Sequence, residues 1–189
     1  MEQAGPEMID RCWLRYDPVS EAKLLREYRQ VCTQITMLGA RSPIFDAARR
    51  ELRMALDRML GMETVIADHP GEKPSLLIGR LGSSPLLERV ADRREQARIG
   101  QEGFLLKAIG DGATSIILAA PSDRGLLYGI FYFLRLLQTG QSLSSLQVIE
   151  SPSVPLRMIN HWDNLDGSVE RGYAGKSIFY TNNCLTADL

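Results

Sequence analysis

Apolar residues recur at helical spacing along a segment that begins at Ser42 and ends at Gly61. Ser42 supplies an N-cap side chain, Pro43 suits the first helical position, and Gly61 suits the left-handed position after the last turn. The apolar stripe consists of Phe45, Ala48, Leu52, Leu56 and Met59. This pattern predicts an amphipathic helix with one face against a core.

A second helical pattern runs from Ser122, a candidate N-cap, to Gln138, and Gly140 is placed to stop it. Its apolar residues surround most of the circumference, which predicts burial on several sides. Gly125 and Gly129 lie four residues apart and leave a strip without side chains. We therefore expect a strand or sheet to approach this helix closely along that strip.

Shorter β-prone runs flank these helices. Residues 104–109 and 114–119 enclose Gly110-Asp111-Gly112, whose tight-turn residues predict a β-hairpin. Other predicted strands cover residues 12–16, 31–37, 64–67, 75–78, 146–149 and 156–159. Short helical segments are predicted around Tyr28 and from Ser84-Pro85 to Val90, and the charged residues 92–98 are predicted to be a solvated surface segment. Together these elements predict an α/β fold in which a mixed sheet packs against helices.

Two prolines, Pro152 and Pro155, make a stiff extended connector near the end of the chain. We place a domain boundary there, with one domain at residues 1–151 and a second segment at 152–189. A chain of 189 residues with 44% hydrophobic and 24% charged residues is long enough for one domain and a short extension.

The charge balance excludes some classes of partner. Twenty-two Lys and Arg against twenty-three Asp and Glu give a net charge of −1, so neither nucleic acid nor a membrane is an expected partner. Residues 1–10 lack the features of a secretory signal, and the three scattered cysteines fit a reducing compartment. We therefore expect a cytoplasmic protein.

Polar and aromatic side chains concentrate in residues 157–179, directly after the last predicted strand. His161, Trp162, Asp163 and Asn164 lie at its end, the position at which α/β barrels carry functional loops. An indole face suits the C–H face of a pyranose, and the neighbouring amide and carboxylate suit its hydroxyls. The alternatives are a tryptophan buried in a barrel and a histidine without a direct role.

Three further motifs favour structural roles. Gly175-Lys176-Ser177 matches the end of a phosphate-binding loop, but Glu170 stands where the earlier glycine is required and a β-prone run follows. Asp163 and Asp166 could act as acid and base, although carboxylates at this spacing more often cap turns. His69 precedes Pro-Gly and is expected in an exposed loop.

Residues 157–179 resemble, nearly residue for residue, the segment that opens the catalytic barrel of α-glucuronidases of glycoside hydrolase family 67. Further similar segments are Trp13-Leu14-Arg15-Tyr16, Ser42-Pro43-Ile44-Phe45, Gly125-Leu126-Leu127-Tyr128-Gly129 and Phe133-Leu134-Arg135-Leu136-Leu137-Gln138. The resemblance implies a non-catalytic first domain like the one preceding the barrel in β-hexosaminidases. Residues 152–189 would then be the first strand and loop of a truncated (β/α)₈ barrel.

The same resemblance implies an enzyme that removes glucuronic acid or its 4-O-methyl ether from xylo-oligosaccharides, with inversion and without a cofactor. Trp162 looks like the tryptophan that packs against the uronic acid ring, with His161, Asp163 and Asn164 shaping the subsite. The catalytic carboxylates are expected beyond Leu189, so the 189-residue chain is expected to be inactive, and a homodimer is a possible assembly of the full-length enzyme. The alternative is a non-catalytic carbohydrate-binding or scaffold module.

Overall fold

The computed structural model describes residues 14–69, 75–110, 115–154, 156–158, 160, 162–169 and 175–186. The chain divides into two compact units, unit 1 from Met1 to Pro152 and unit 2 from Ser153 to Leu189. No helix within the described residues combines the length and the apolar character needed to cross a bilayer.

Unit 1 contains a mixed six-stranded sheet in the order β2-β1-β3-β5-β4-β6. Its strands are β1 (Ile35–Leu38), β2 (Ile66–Ala67), β3 (Leu76–Arg80), β4 (Phe104–Ile109), β5 (Ser115–Ala120) and β6 (Gln147–Glu150). The first four in spatial order pair in parallel, whereas β4 runs antiparallel to both β5 and β6. The predicted hairpin partners are thus confirmed as β4 and β5, and the turn residues 111–114 lie outside the described residues.

Helices cover both faces of this sheet. The helices are α1 (Ala22–Val31), α2 (Pro43–Leu60), α3 (Pro85–Arg89), α4 (Arg93–Ile99) and α5 (Asp123–Gln138). The larger core joins α1, α2 and α5 to one face of the sheet, and the smaller core joins α3 and α4 to the other. This confirms the α/β arrangement of a mixed sheet packed against helices.

The start of α2 follows from its capping residues. Ser42 has an extended backbone, and its Oγ accepts a hydrogen bond from the backbone N–H of Phe45 at 3.1 Å. The same hydroxyl donates to Oδ2 of Asp123 at 2.8 Å, so it also connects α2 to the first turn of α5. The helix ends at Gly61, whose φ of 59° is left-handed, as predicted.

We expect the substitution Ser42→Ala to lower the free energy of unfolding of unit 1 by about 1–2 kcal/mol, because it removes an N-cap and a hydrogen bond between two helices. Ser84→Ala is the matched control, since Ser84 Oγ accepts from the Leu87 N–H at 3.2 Å in the short helix α3. Urea unfolding followed by circular dichroism measures both losses. If both variants lose the same free energy of unfolding, the hydrogen bond from Ser42 to Asp123 makes no contribution to stability.

The predicted close approach along α5 is confirmed at both glycines. A Cβ atom at Gly125 would overlap the carbonyl oxygen of Gly103 and lie 2.9 Å from the Ala120 Cβ. At Gly129, a Cβ would lie 3.0 Å from Leu118 Cδ2. The missing side chains let α5 rest directly on β5 and on the loop before β4.

Several local predictions are wrong or incomplete. Residues 92–98 are solvated but form most of α4, because Asp92 and Glu95 make a capping box that the charge density obscured. Residues 14–16 are not in a strand, and residues 12 and 13 lie outside the described residues. Val31 ends α1, so the strand predicted from residue 31 begins only at Ile35.

The predicted barrel strand at residues 156–159 is not observed at 156–158, and residue 159 lies outside the described part. A strand requires a hydrogen-bonded neighbour, and no described segment forms a ladder with residues 156–158. The following residues, predicted to be loop, include a small antiparallel pair, β7 (Tyr180–Thr181) and β8 (Cys184–Leu185). The connector residue Pro155 is also outside the described residues.

Candidate functional site

The predicted ligand-binding residues fall in unit 2. Trp162, Asp163 and Asn164 are described, and His161 lies outside the described residues. The Trp162 side chain is 43% exposed, which excludes a fully buried tryptophan within unit 2 itself. Asp163 forms an isolated antiparallel bridge with Val169, so these residues begin a folded-back loop.

Asn164 and Ser168 close this loop. The Asn164 backbone N–H donates to the Ser168 carbonyl at 2.8 Å, and the Gly167 N–H donates to the Asn164 carbonyl at 3.0 Å. The Asn164 side-chain amide donates to Ser168 Oγ at 3.0 Å. Gly167 has a φ of 89°, a conformation that favours glycine. One use of the Asn164 side chain is therefore to hold this turn.

Asp163 has a defined partner across the loop. The Ser177 hydroxyl donates a hydrogen bond to Asp163 Oδ2. Ser177 Oγ in turn accepts from the backbone N–H groups of Phe179 and Tyr180, both at 2.9 Å. Asp163 consequently fixes the direction in which the chain enters β7.

Asp166 caps the same loop. Its Oδ1 accepts from the Ser168 hydroxyl at 2.6 Å and from the Ser168 backbone N–H at 2.8 Å. The hydroxyl bond first and then the backbone bond hold the pKa of the Asp166 carboxyl below its usual range. An acid catalyst needs a raised pKa, so Asp166 has the wrong electrostatic environment for that role. The turn-capping interpretation is favoured over an Asp163–Asp166 acid and base pair.

The segment Gly175-Lys176-Ser177 does not form a phosphate-binding loop. Such a loop leads into a helix whose N-terminus faces the phosphates, whereas Ser177 leads into the short strand β7. The Ser177 hydroxyl is already engaged with Asp163 and the following backbone. The sequence-based rejection of nucleotide binding is consistent with this geometry.

Unit 2 nevertheless contains a cleft of about 480 Å³. It is lined by Asp166, Gly167, Ser168, Val169, Gly175, Lys176, Ser177, Tyr180, Thr181 and Asn182. Trp162, Asp163 and Asn164 are not among these lining residues. Its described lining includes the Lys176 ammonium, the Asp166 carboxylate and several hydroxyl or amide groups, which suits hydrogen bonding to a polar ligand. Within the described part of the chain, no cluster of His, Cys, Asp or Glu could hold a metal ion.

Sequence reasoning missed Lys176, Tyr180 and Asn182 as cleft residues. The available signal was Asn182-Asn183, a pair suited to a two-residue hairpin turn because both positions require a positive φ. The two φ values are 52° and 63°, and the turn joins β7 to β8. This hairpin brings Tyr180 and Asn182 to the loop held by Asp166.

The apolar side chains of unit 2 remain largely in contact with solvent. No described residue of this unit is buried. Exposed large apolar residues are Val154, Leu156, Met158, Trp162, Leu165, Ile178 and Leu185, between 43% and 81% exposed. The described part of unit 2 therefore lacks a buried hydrophobic core, and hydrogen bonds hold its loop.

Two models of one protein family match successive parts of this chain. Residues 12–133 match the family model described as Glycosyl hydrolase family 67 N-terminus, and residues 136–189 match the Glycosyl hydrolase family 67 middle domain. The two models meet inside α5, whereas the compact units part after Pro152. A domain boundary after residue 151 stays a prediction.

Curated relatives include a "Probable alpha-glucuronidase A" of Aspergillus oryzae, 34% identical over 180 residues, covering 94% of this chain and 20% of the relative. The "Alpha-glucuronidase A" of Emericella nidulans is 31% identical over 185 residues, covering 94% of this chain and 21% of the relative. The chain thus spans about one fifth of the length of the curated relatives it matches.

A solved structure supports the fold alone. It is titled a family GH115 4-O-methyl-alpha-glucuronidase, BtGH115A, with specificity for decorated arabinogalactans, and it matches with a TM-score of 0.52 at 19% identity. The match covers 78% of this chain and 22% of that protein.

Proposed function

This chain belongs to glycoside hydrolase family 67, and we propose that it is the amino-terminal part of an inverting α-glucuronidase. The full-length enzyme would release glucuronic acid, or its 4-O-methyl ether, from xylo-oligosaccharides during xylan degradation. The observation that carries this proposal is the succession of two models of one family over residues 12–133 and 136–189. Relatives named α-glucuronidase A, about five times longer, support it.

The chemistry of inversion requires residues that the described site does not offer. An acid protonates the leaving oxygen while a carboxylate base activates water on the other side of the sugar ring, with the two carboxyl groups about 6.5–9.5 Å apart. Asp163 and Asp166 are engaged in holding their own loop, and the pKa of Asp166 is lowered rather than raised. We therefore assign the catalytic acid and base to the part of the enzyme beyond Leu189.

Unit 2 would contribute to the start of the catalytic barrel. Its exposed apolar side chains, among them Leu156, Met158 and Ile178, support this proposal because strands and helices of a barrel would cover them. Trp162 would be the platform for the uronic acid ring, and His161, Asp163 and Asn164 would shape its surroundings, Asp163 by fixing the loop through Ser177. Homodimer formation and a cytoplasmic location belong to the same proposal.

We expect the 189-residue chain to release no glucuronic acid from aldouronic oligosaccharides, and the full-length enzyme to release it as the β-anomer first, because inversion of an α-linkage gives that product. Proton NMR of the fresh reaction measures both the yield and the anomer. Lasting inactivity of a folded full-length protein that still binds the oligosaccharide would favour the non-catalytic binding module.

Turnover by the 189-residue chain would contradict the assignment of the acid and base to later residues. The variants Asp163→Asn and Asp166→Asn would then separate two explanations. Loss of turnover in these variants would identify the local carboxylates as the catalytic pair, and retained turnover would exclude them.

A further inference from the structure

The hydroxyl of Ser177 joins two described segments of unit 2, residues 162–169 and residues 175–186. It donates to Asp163 Oδ2 and accepts from the backbone N–H groups of Phe179 and Tyr180, both at 2.9 Å. A serine hydroxyl has one proton to donate and two lone pairs to accept with, so these three bonds use its full capacity. Ser177 therefore holds the loop that begins at Trp162 against the entry to β7.

The residue that accepts this bond is the neighbour of the proposed sugar platform. Asp163 directly follows Trp162 in the chain, and it forms an isolated bridge with Val169. The Trp162 indole is 43% exposed, and a partly exposed side chain depends more on its backbone for its direction than one enclosed in a core does. A restraint on Asp163 is thus also a restraint on the backbone that carries the indole.

The backbone of Ser177 is itself held in place. Its N–H donates to the Gly167 carbonyl at 2.9 Å, and the preceding residue, Lys176, forms an isolated bridge with Ser168. The hydroxyl consequently reaches Asp163 from a backbone that is already ordered. A bond between two ordered groups costs little conformational entropy, so it can act as an effective restraint.

The same serine also connects the loop to the polar cleft. Its Oγ accepts from the N–H of Tyr180, the first residue of β7, and the N–H of Asn183 in the following turn donates to the Leu165 carbonyl at 2.8 Å. Tyr180 and Asn182 line the cleft of about 480 Å³. One hydroxyl therefore links the loop that carries Trp162 to the hairpin that lines this cleft.

We propose that Ser177 is a positioning residue of the substrate site, which sets the direction of the Trp162 indole by holding Asp163. This inference rests on the proposed function, in which Trp162 is the platform under the uronic acid ring. The Ser177 hydroxyl is fully engaged with protein groups, so its effect on a sugar runs through Asp163. Removing the hydroxyl should misplace the platform relative to the cleft.

A double-mutant cycle in the full-length enzyme measures this coupling. Ser177→Ala and Asp163→Ala should each lower kcat/KM on aldouronic oligosaccharides, Ser177→Ala by roughly tenfold, because the groups held by a hydrogen bond to a carboxylate shift when it is lost. The double variant should be no less active than the more impaired single variant. Ser177→Thr keeps the hydroxyl and should restore kcat/KM to within about threefold of the parent enzyme.

The fluorescence of Trp162 gives a readout that does not depend on activity. The chain has two tryptophans, so Trp13→Phe leaves Trp162 as the only one in the 189-residue chain. In this background, Ser177→Ala should roughly double the part of the fluorescence anisotropy that decays within nanoseconds, because loop and side-chain motions occur on that timescale. Ser177→Thr should leave the anisotropy decay unchanged.

Thr186→Val is the matched control within unit 2. The Thr186 hydroxyl donates to the Ile178 carbonyl at 2.6 Å, so this substitution also removes a hydroxyl bond, but one whose partner is not Asp163. It should leave kcat/KM and the anisotropy decay within about twofold of the parent values. Equal effects of Ser177→Ala and Thr186→Val would overturn the proposal, because they would indicate a general loosening of the unit.

The cycle and the fluorescence separate this proposal from the proposed function. Losses that add in the double variant would overturn the positioning role, because Ser177 would then act independently of Asp163. Unchanged anisotropy in Ser177→Ala would also overturn it, even in an active enzyme. Increased anisotropy decay in Ser177→Ala alone, together with a full-length protein that releases no glucuronic acid, would support the restraint on Trp162 and refute only the proposed function.

Discussion

Replacing Gly125 by alanine is expected to lower the free energy of unfolding of unit 1 by about 2–4 kcal/mol, although alanine is the better helix former by about 1 kcal/mol. The added methyl group would overlap the carbonyl oxygen of Gly103 and press against the Ala120 Cβ at 2.9 Å. The steric cost exceeds the gain in helix propensity because the nearest atom belongs to the backbone.

The Gly103 backbone is itself closely packed on the side where a Cβ would lie. A Cβ at Gly103 would itself overlap the carbonyl oxygens of Ile99 and Glu150, so this loop is enclosed by the end of α4 and by β6. Displacing it would disturb the pairing of β4 with β6, which includes Phe104 opposite Glu150. The strain is therefore shared between the helix and the sheet.

Gly129→Ala is the matched control on the same helix. This substitution brings the same gain in helix propensity. The added Cβ, however, would lie nearest to a side-chain atom, Leu118 Cδ2, at 3.0 Å, and that atom can shift by a few tenths of an ångström. In urea unfolding, Gly129→Ala should lower the free energy of unfolding by less than about half as much as Gly125→Ala does. Equal losses would mean that the backbone contact at Gly103 does not decide the outcome.

Local signals in the sequence were sufficient to predict the two long helices, α2 and α5, and the hairpin of β4 and β5. Ser42 and Gly61 bound α2 as their chemistry requires, and the tight-turn residues before β5 indicated the pairing of β4 with β5. Gly125 and Gly129 correctly indicated the side of α5 that touches the sheet. In each case, the residues that indicate the element lie in it or directly beside it in the sequence.

The order of the sheet could not be predicted in this way. The four residues of β1 are all buried, since helices cover both faces, so the alternation that would mark one buried face is absent. The parallel pairing of β1 with both β2 and β3 joins residues far apart in sequence. The helix α4 was missed for a different reason, because Asp92 and Glu95 were interpreted as surface charge when they form a capping box.

The residues of the candidate site could likewise not be predicted from sequence neighbours. The prediction selected Asp163 and Asn164 because they are adjacent to Trp162 in sequence. The cleft of unit 2 is instead lined by Asp166 together with Lys176 and Asn182, which hydrogen bonds across the loop bring near. One such bond joins the Ser177 N–H to the Gly167 carbonyl at 2.9 Å. Residue types could be recognised from the sequence, but their spatial neighbours depend on these long-range bonds.

In the full-length enzyme, Trp162→Ala is expected to lower kcat/KM by roughly 5- to 150-fold, which corresponds to about 1–3 kcal/mol for loss of an aromatic platform under a ring. The expectation follows from the 43% exposure of Trp162, which leaves part of the indole accessible in unit 2. Trp162→Phe should retain much of the activity, because it keeps a flat apolar ring at the same position.

Leu165→Ala is the matched control for a general loss of apolar contact. Leu165 belongs to the same loop and is 59% exposed, but it offers no flat ring to a sugar. Its truncation should leave kcat/KM within about twofold of the parent enzyme if ligand stacking is the cause of the Trp162 effect. A similar decrease in both variants would indicate that the loop depends on apolar packing rather than on a specific platform.

Thermal unfolding measured beside kcat/KM decides between the two roles of Trp162. A ligand contact predicts a decrease in kcat/KM with a melting temperature close to that of the parent enzyme. A tryptophan buried by the catalytic domain predicts instead a loss of about 3–5 kcal/mol in stability on truncation to alanine. A large drop in melting temperature with kcat/KM unchanged well below it would assign Trp162 to the barrel core, and the cleft lined by Lys176 and Asn182 would then become the remaining candidate for a polar ligand in unit 2.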